Sequence, residues 1–214
     1  LSLSPGPALI NKAWHYEKYA NMWRITDDFW DSWPLLVNMF ERCEIWEKHV
    51  SEGCYPDCDM LPLGYIGKGF GHERYTRFTK DEQITMMTLW CIFRSPLMVG
   101  AELTKLDDWT LGLLTNKKVL RLLTHSAGAR QIMRNKNQAI WFSKDTQDEA
   151  YYLALFNLSD EEGQISVSAQ ELDMEAFTGL ICEELWTGEI LKGFDGVFES
   201  EVPVHGARLY KISK

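Results

Sequence analysis

The pattern of apolar residues changes once along the chain, and this change limits what the chain can fold into. As far as about residue 127, short apolar runs alternate with amphipathic segments; beyond it, short β-rich runs follow one another between turn residues. Alternating strands and helices indicate parallel βα units with right-handed crossovers, whereas successive short strands indicate an antiparallel sandwich. The sequence therefore predicts two domains, residues 1–127 and 128–214, with a boundary near Ser126–Arg130.

The first domain is expected to contain roughly three or four βα units, about half of an eight-stranded barrel. Its predicted strands are 19–25 and 96–101, and its predicted helices are 34–49, 84–93 and 109–123. Thr79 and Glu82 form a capping box before the second of these helices. The opening residues LSLSPGP are typical of a buried strand that ends in a Pro/Gly turn, so we expect the chain to begin within a fold.

The second domain contains five predicted strands, at 139–143, 151–157, 164–168, 180–186 and 207–212. Its two tryptophans, Trp141 and Trp186, fit core positions as well as they fit a platform for a sugar ring. The predicted fold is thus α/β plus all-β, the second half of a TIM (β/α)8 barrel followed by a C-terminal antiparallel β-sandwich.

Charge and composition exclude several classes of partner. The net charge is −9 and the basic residues are scattered among acidic ones, whereas proteins that bind nucleic acid display a clustered basic face. No apolar run reaches the roughly 18–20 residues that cross a bilayer, so we expect no nucleic acid and no membrane partner. Cys54 and Cys58 lack the paired spacing of a structural zinc site, and free thiols are the favoured interpretation.

An eleven-residue motif, WRITDDFWDSW, carries the densest chemical signal, from Trp23 to Trp33. It follows a predicted barrel strand and leads into a helix, and the carboxyl ends of barrel strands are where such enzymes place their active sites. Its Asp, Arg and Trp residues are the types a glycosidase uses to protonate a glycosidic oxygen and to order sugar hydroxyls. The alternative is a helix N-terminus that attracts Asp through its dipole, and this stays open for Asp27 and Asp31.

The order of these motifs resembles the α-galactosidase (melibiase) family, glycoside hydrolase family twenty-seven of clan D. The family has the motif W-R-x-x-x-D-x-x-D-x-W after a strand, then a helix and a loop that ends D-M-L. Arg24 and Asp28 match its arginine and its acid/base, and the loop GCYPDCDML retains Asp57, Asp59 and Met60. The stretch QITMMTLWCIFRSPLMVGAEL also matches the family.

The resemblance implies a retaining glycoside hydrolase that removes terminal α-galactosyl or closely related residues by double displacement, without a metal or organic cofactor. Asp28 is then the general acid/base, and the substrate, a galactoside or related saccharide, contacts five residues: Arg24, Asp59, Met60, Ser4 and Trp23. A sibling hydrolase of the same clan that acts on α-glucans would share this mechanism.

One departure concerns the sugar. Where the family commonly has Cys-Glu-Trp after its fifth strand, this chain has the small and neutral segment Ser4-Pro5-Gly6-Pro7. A galactose C2 hydroxyl would therefore lose a carboxylate partner, which weakens the case for a strict preference for galactose. The resemblance then extends to related sugars such as β-L-arabinopyranose or N-acetylated galactose.

A second departure concerns the nucleophile. The family's nucleophile is an Asp in a K-x-D motif upstream of these residues, and we interpret Lys105-Leu106-Asp107 as the start of a helix instead. A retaining mechanism needs two carboxyl groups about 5–5.5 Å apart, so this chain alone is expected to be inactive. The alternative function is a non-catalytic carbohydrate-binding or scaffold fragment.

Half a barrel would also expose strand edges, which favour association. We therefore expect either a missing N-terminal half of the barrel or self-association. No residue indicates a compartment, although secretion or periplasmic export would suit an enzyme of polysaccharide breakdown.

Overall fold

Three short parallel strands form the inner sheet of the first domain. The structure is a computed structural model that describes residues 1–67, 71–192 and 196–214. Strands β1 (Ser2–Leu3), β2 (Met22–Arg24) and β3 (Tyr55–Asp57) pair in the order β1-β2-β3. A parallel bridge between Leu61 and Val99 occupies the next position. Consecutive parallel pairing is the arrangement of βα units in a barrel, and the first domain is half of a (β/α)8 barrel.

Within the described part of this domain, six α-helices accompany these strands: α1 (Ala13–Tyr19), α2 (Trp33–Trp46), α3 (Lys80–Phe93), α4 (Asp108–Thr115), α5 (Lys117–Leu120) and α6 (Leu122–His125). The predicted helix over 109–123 is thus three short helices. Its first break is at Asn116, which has an extended backbone and accepts hydrogen bonds from the backbone N–H groups of Lys118 and Val119. The predicted strand over 96–101 is reduced to the single bridge at Val99, and helix α1 was not predicted.

Helix α3 is buried on almost every side. Its capping box is confirmed, because Thr79 Oγ1 accepts from the Glu82 N–H at 3.2 Å and Glu82 Oε2 accepts from the Thr79 N–H at 2.8 Å. The helix lies between the inner sheet and the second domain, and buried residues follow one another from Thr85 to Phe93. This position explains why its sequence is apolar without a clear polar stripe.

A small hairpin rises from the loop between β3 and α3. It consists of β4 (Tyr65–Ile66) and β5 (Arg74–Tyr75), which pair antiparallel. The hairpin therefore follows the carboxyl end of β3, on the side of the barrel where the loops after each strand gather.

The second domain is an antiparallel sandwich. A six-stranded sheet in the order β11-β10-β13-β8-β7-β6 faces a two-stranded sheet of β12 and β9. The strands are β6 (Ser126–Arg134), β7 (Gln138–Asp145), β8 (Ala150–Asn157), β9 (Gly163–Ser168), β10 (Ile181–Glu184), β11 (Ile190–Lys192), β12 (Val197–Val202) and β13 (Ala207–Ser213). Strand β6 begins at Ser126, slightly before the predicted boundary at 127/128.

The six-stranded sheet is buried on both faces. Trp141, Tyr152 and Phe156 point toward the barrel helices and belong to the core of the first domain. Phe142 and Leu153 point the other way, into the core between the two sheets. Because neighbouring residues of a strand face opposite sides, both faces of β7 and β8 are apolar. One face packs against the barrel helices, so the two domains are joined by a common hydrophobic core.

Candidate active site

The parallel sheet brings most of the predicted site residues to one edge. Ser4 directly follows β1, Arg24 ends β2, and Asp59 and Met60 follow β3. Asp28 lies in the irregular segment 25–32 between β2 and α2. Since the carboxyl ends of parallel strands meet on the same rim of a barrel, these residues surround one place.

Arg24 is the centre of this group. Its Nη1 donates to Asp28 Oδ1 at 2.9 Å and lies 3.6 Å from Asp59 Oδ1. The Arg24 side chain is 18% exposed, whereas that of Asp28 is 76% exposed. Arg24 Nε is buried and has no hydrogen-bond partner among the described residues. The arginine is therefore fixed, and it orients a carboxylate that remains open to a ligand.

Gly6 gives the Arg24 guanidinium its room. A Cβ atom on Gly6 would lie 2.7 Å from Arg24 Nη2, and the Gly6 backbone has a positive φ of 28°. The guanidinium therefore passes directly over the backbone that follows β1. Ser4 lies two positions before Gly6 in the same segment and is exposed at the rim.

Asp59 holds the segment that follows Asp28. Its Oδ2 accepts from the Phe29 N–H at 2.7 Å, and its carbonyl oxygen accepts from Trp90 Nε1 at 3.2 Å. Its own N–H donates to Asp57 Oδ1 at 2.9 Å. Burial and the neighbouring Asp59 charge raise the pKa of Asp57, and that hydrogen bond opposes the rise. Asp59 adopts a φ of 72°, a left-handed conformation that Asp tolerates better than most residues.

Met60 continues the rim toward the last strand position. It is partly exposed, and a Cβ atom on Gly100 would lie 2.7 Å from its sulfur. Gly100 follows the bridged Val99 and donates its N–H to the Leu61 carbonyl at 2.9 Å. The absence of a side chain at Gly100 therefore leaves the space that the Met60 side chain occupies.

Trp23 does not belong to this site. It is fully buried, stacks on Tyr16 at 5.8 Å and lies 6.0 Å from Trp46 in the helical layer. Because successive strand residues point to opposite faces, Trp23 and Arg24 cannot both line one cleft. The prediction that Trp23 contacts the substrate is wrong, and Trp23 is a core residue.

Asp31 has a partner that the sequence did not suggest. Its side chain is buried and receives both terminal nitrogens of Arg74, with Nη2 at 2.7 Å from Oδ1, and the Arg77 N–H at 2.6 Å. Burial opposes ionisation of the carboxyl, but these hydrogen bonds and the Arg74 charge hold its pKa below the ordinary value. Arg74 stands on β5 in a segment without a recognisable motif, so only the folded chain reveals this pair.

Two cavities lie near the ends of the barrel strands. One of about 330 Å³ adjoins the segment after Asp28 and is lined by Trp30, Asp31, Ser32, Gly71, His72, Arg74 and Arg77. A larger one of about 670 Å³ includes Tyr55, the first residue of β3, and Arg94, which follows α3. The larger cavity therefore lies at the opposite rim of the barrel, whose residues usually contribute to stability rather than to catalysis.

Two predictions about other polar residues are confirmed. Asp107 begins helix α4, and its Oδ1 accepts from the Thr110 N–H at 2.8 Å, so Lys105-Leu106-Asp107 is a helix start. All five cysteines are free thiols.

Among residues 1–67, 71–192 and 196–214, no three His, Cys, Asp or Glu side chains gather in a way that could hold a metal ion. In the same ranges no helix is both long and apolar enough to span a bilayer.

Family models match both domains. Residues 9–124 match the model described as Alpha galactosidase A, and residues 135–212 match that of the Alpha galactosidase C-terminal beta sandwich domain. The chain is 24% identical over 203 residues to alpha-galactosidase 3 of Arabidopsis thaliana and 27% identical over 214 residues to a probable alpha-galactosidase of Dictyostelium discoideum. These matches cover 92% and 94% of this chain but 44% and 52% of the relatives. The chain thus spans about half the length of the curated relatives it matches.

Some solved structures with this fold have a higher sequence identity to this chain than these relatives do. A β-L-arabinopyranosidase of glycoside hydrolase family 27 from Geobacillus stearothermophilus has a TM-score of 0.94 and 47% identity. That similarity covers 100% of this chain and 49% of the other. A putative α-N-acetylgalactosaminidase from Bacillus halodurans has a TM-score of 0.80 and 41% identity, over 89% of this chain and 45% of the other.

Proposed function

Because this chain belongs to the alpha galactosidase A family of glycosidases, we propose that it supplies the general acid/base, Asp28, of a retaining glycosidase. The enzyme would remove terminal α-galactosyl or β-L-arabinopyranosyl residues. The observation that carries the proposal is the 2.9 Å contact between Arg24 and Asp28 at the carboxyl rim of the half barrel. The contact leaves most of the Asp28 carboxylate exposed, as a group that exchanges protons with a ligand must be.

The proposed reaction uses Asp28 twice. In the first step a nucleophilic carboxylate attacks the anomeric carbon, the bond to the leaving oxygen breaks, and protonated Asp28 gives its proton to that oxygen. In the second step the Asp28 carboxylate takes a proton from water, whose oxygen displaces the sugar from the nucleophile. Arg24 and Asp59 would hold the sugar hydroxyls beside Asp28, and Met60 and Ser4 would border the ring.

The nucleophile is proposed to lie on another part of the enzyme. Asp59, the other carboxylate that Arg24 contacts, already accepts the Phe29 N–H and is held in the loop. The part of each relative that this chain does not match is about half of that relative's length. That length is enough for the other βα units of a barrel. On this proposal the present residues alone do not turn over substrate.

Exposed apolar side chains on the two outer βα units support this completion. They are Leu1, Leu9, Ile10 and Trp14 on the first unit, and Met98, Val99 and Leu103 on the last. Exposed strand edges beside apolar side chains associate readily with further strands. We propose that the other barrel half covers them.

The sugar is proposed to have the galacto configuration. α-D-Galactose and β-L-arabinopyranose share their ring stereochemistry and differ by the hydroxymethyl group on C5. The 47% identity to a β-L-arabinopyranosidase supports the pentose. Rates with the 4-nitrophenyl glycosides of both sugars would rank them, and the proposal predicts hydrolysis of at least one.

The test of the proposed role is Asp28→Asn in the full-length protein, with an unactivated glycoside, such as the phenyl glycoside, that the parent hydrolyses. General acid/base catalysis contributes about 10²–10⁴-fold, and we expect the variant's kcat/KM for such a glycoside to decrease by a factor within this range. Asp27→Asn is the matched control, because Asp27 is the adjacent exposed carboxylate and no contact with Arg24 is found among the described residues. Wild-type turnover by Asp28→Asn would remove Asp28 from its role.

A further inference from the structure

The segment that carries Asp28 has no regular secondary structure. Residues 25–32 connect β2 to α2 and contain no helix or strand. The Asp28 side chain contacts Arg24 and is otherwise largely exposed. Its position therefore depends on how the residues on either side of it are held.

One anchor is Phe29. Its N–H donates to Asp59 Oδ2 at 2.7 Å, and its buried ring packs 5.0 Å from that of Trp90 on helix α3. This anchor fixes the backbone directly after Asp28 to the loop that follows β3.

The second anchor is Asp31. Its buried carboxylate receives two donors from the Arg74 side chain and one from the Arg77 backbone, as described above. A guanidinium that binds a carboxylate through both terminal nitrogens fixes direction as well as distance. Removal of one partner of a buried charged pair leaves the other uncompensated, which is costly, so the Asp31 side chain would move if Arg74 were lost.

The hairpin that presents Arg74 is itself held to the barrel. The Thr76 N–H donates to the Gly64 carbonyl at 2.8 Å, which extends the pairing at the base of the hairpin, and the Glu102 N–H donates to the Tyr65 carbonyl at 2.8 Å, which ties the hairpin to the segment after Val99. Arg74 therefore stands on a fixed frame, and its contact with Asp31 ties segment 25–32 to that frame.

We propose that Arg74 is a positioning residue for the acid/base: through Asp31, it holds segment 25–32 so that the Asp28 carboxyl meets the leaving oxygen. The inference rests on the proposed function of Asp28. It assigns a catalytic consequence to a hairpin residue that lies 46 positions from Asp28 in the sequence and does not contact it.

The leaving group distinguishes positioning from general stabilisation. A 2,4-dinitrophenyl glycoside needs no proton to depart, whereas a phenyl or methyl glycoside does. Displacement of the acid therefore slows the second class and spares the first, while a loss of folded enzyme lowers kcat/KM for both equally. Misplacement of a catalytic group by about 1 Å can cost roughly 10²-fold.

The experiment measures kcat/KM of full-length Arg74→Gln, Arg74→Lys and Asp31→Asn on both classes of glycoside. We expect Arg74→Gln to lose about 10–100-fold on the phenyl glycoside and less than about threefold on the dinitrophenyl glycoside. Arg74→Lys keeps the charge and should lose less. The double variant Arg74→Gln/Asp31→Asn should be no slower than the worse single variant, because both changes break one contact.

Two controls separate the possible failures. Arg134→Gln removes an arginine of similar exposure (30% against 25%) from an ion pair with Glu44 far from the rim, and should change neither rate. Asp28→Asn must itself show steep dependence on the leaving group; if it does not, the proposed function fails. If it does, and the Arg74 and Asp31 variants lose equally on both substrates or lose nothing, the positioning role alone is overturned. Should Arg74→Gln fail to fold, Arg74→Lys and Asp31→Asn decide by the same ratio.

Discussion

Arg24 and Gly6 depend on each other at the scale of single residues. The guanidinium that orients Asp28 occupies the space that a side chain at position 6 would fill. The terminal atoms of an arginine can move at little cost to the fold, but in moving they would release Asp28. The glycine is thus required for the position of Arg24, in addition to its role in a backbone conformation with positive φ that other residues rarely adopt.

We predict that Gly6→Ala lowers kcat/KM of the full-length protein about tenfold or more, since the arginine must shift from its position beside Asp28, the proposed acid/base. Steady-state kinetics on the preferred 4-nitrophenyl glycoside measure the effect. Gly128→Ala is the control, because Gly128 also has a positive φ but nothing lies within 4 Å of the added Cβ. Equal rates for Gly6→Ala and wild type would show that Arg24 does not depend on this space.

Trp23 gives the opposite prediction. It is fully buried and its Nε1 has no hydrogen-bond partner among the described residues, so Phe removes packing and no polar contact. We expect Trp23→Phe to lower the free energy of unfolding by about 1–3 kcal/mol and to leave KM unchanged. Denaturant unfolding and kinetics together check this; a raised KM with unchanged stability would return Trp23 to the site.

Motif and strand pattern predict part of the site at this scale, and folding determines the rest. Arg24 and Asp28 follow from one motif because they are four residues apart on the same connection. Alternation along β2 could have excluded Trp23, because adjacent residues of a strand face opposite sides and Arg24 was already placed at the site. Arg74 could not be predicted, since it meets Asp31 at a separation of 43 positions in the sequence without any motif.

At the scale of elements, the turn between β12 and β13 fastens the sandwich to the barrel helices. The His205 ring stacks on Trp33 of α2 with centroids 3.9 Å apart, and its Nδ1 lies 2.9 Å from Glu82 Oε1 of α3. The His205 carbonyl accepts from Thr85 Oγ1 at 2.6 Å. One histidine therefore joins a turn to two helices.

We predict that His205→Ala lowers the free energy of unfolding by about 2–3 kcal/mol, because it removes a stacked ring and a partly buried hydrogen bond. Chemical denaturation at pH 7 measures the loss. The exposed His15 provides the comparison, and His15→Ala should cost about 0.5 kcal/mol or less. A His205 variant as stable as the His15 variant would show that the turn does not hold the domains together.

Elements with strong local signals were predicted well. The capping box starts α3, and five sandwich strands fall where apolar runs stand between turns. Strand β6 was missed because its sequence, SAGARQIMR, has neither alternation nor an apolar run, and pairing with β7 makes it a strand. The strand at 96–101 was overestimated because Pro96 lacks a ladder donor and the pairing reaches only Val99.

At the scale of the whole molecule, a buried carboxylate joins the end of the barrel domain to the sandwich. Asp145 on β7 accepts from Tyr152 Oη at 2.5 Å and from Arg121 Nε at 3.2 Å. Burial opposes its ionisation, but hydrogen bonds from Tyr152, from the backbones of Gln147 and Asp148 and from Arg121 hold its pKa well below the ordinary value.

This network predicts a pH dependence of stability. The pKa of an Asp side chain in an unfolded chain is about 3.9, and the pKa of Asp145 in the folded chain is lower. The ionised carboxylate therefore stabilises the folded chain at neutral pH. Its contribution is full above the unfolded-state pKa and is lost as pH falls toward the lower folded-state pKa. We expect Asp145→Asn to lower the free energy of unfolding by about 2–4 kcal/mol at pH 7, and the difference from wild type to narrow below about pH 4.

Denaturant unfolding at several pH values between 7 and 3 measures this difference. Asp173→Asn serves as the control, because Asp173 is a largely exposed partner of Arg130 and such surface pairs contribute about 0–1 kcal/mol. A difference for Asp145→Asn that stays constant across this range would contradict the role given to its charge.

Chemical rescue of Asp28→Asn tests the central claim most directly. Azide needs no general base, so it should restore turnover of an activated aryl glycoside in this variant and yield a glycosyl azide with the anomeric configuration of the substrate, as read by proton NMR. Asp27→Asn should form none. The absence of rescue, or a glycosyl azide of inverted configuration, would contradict the assignment of Asp28 as the acid/base of a retaining glycosidase.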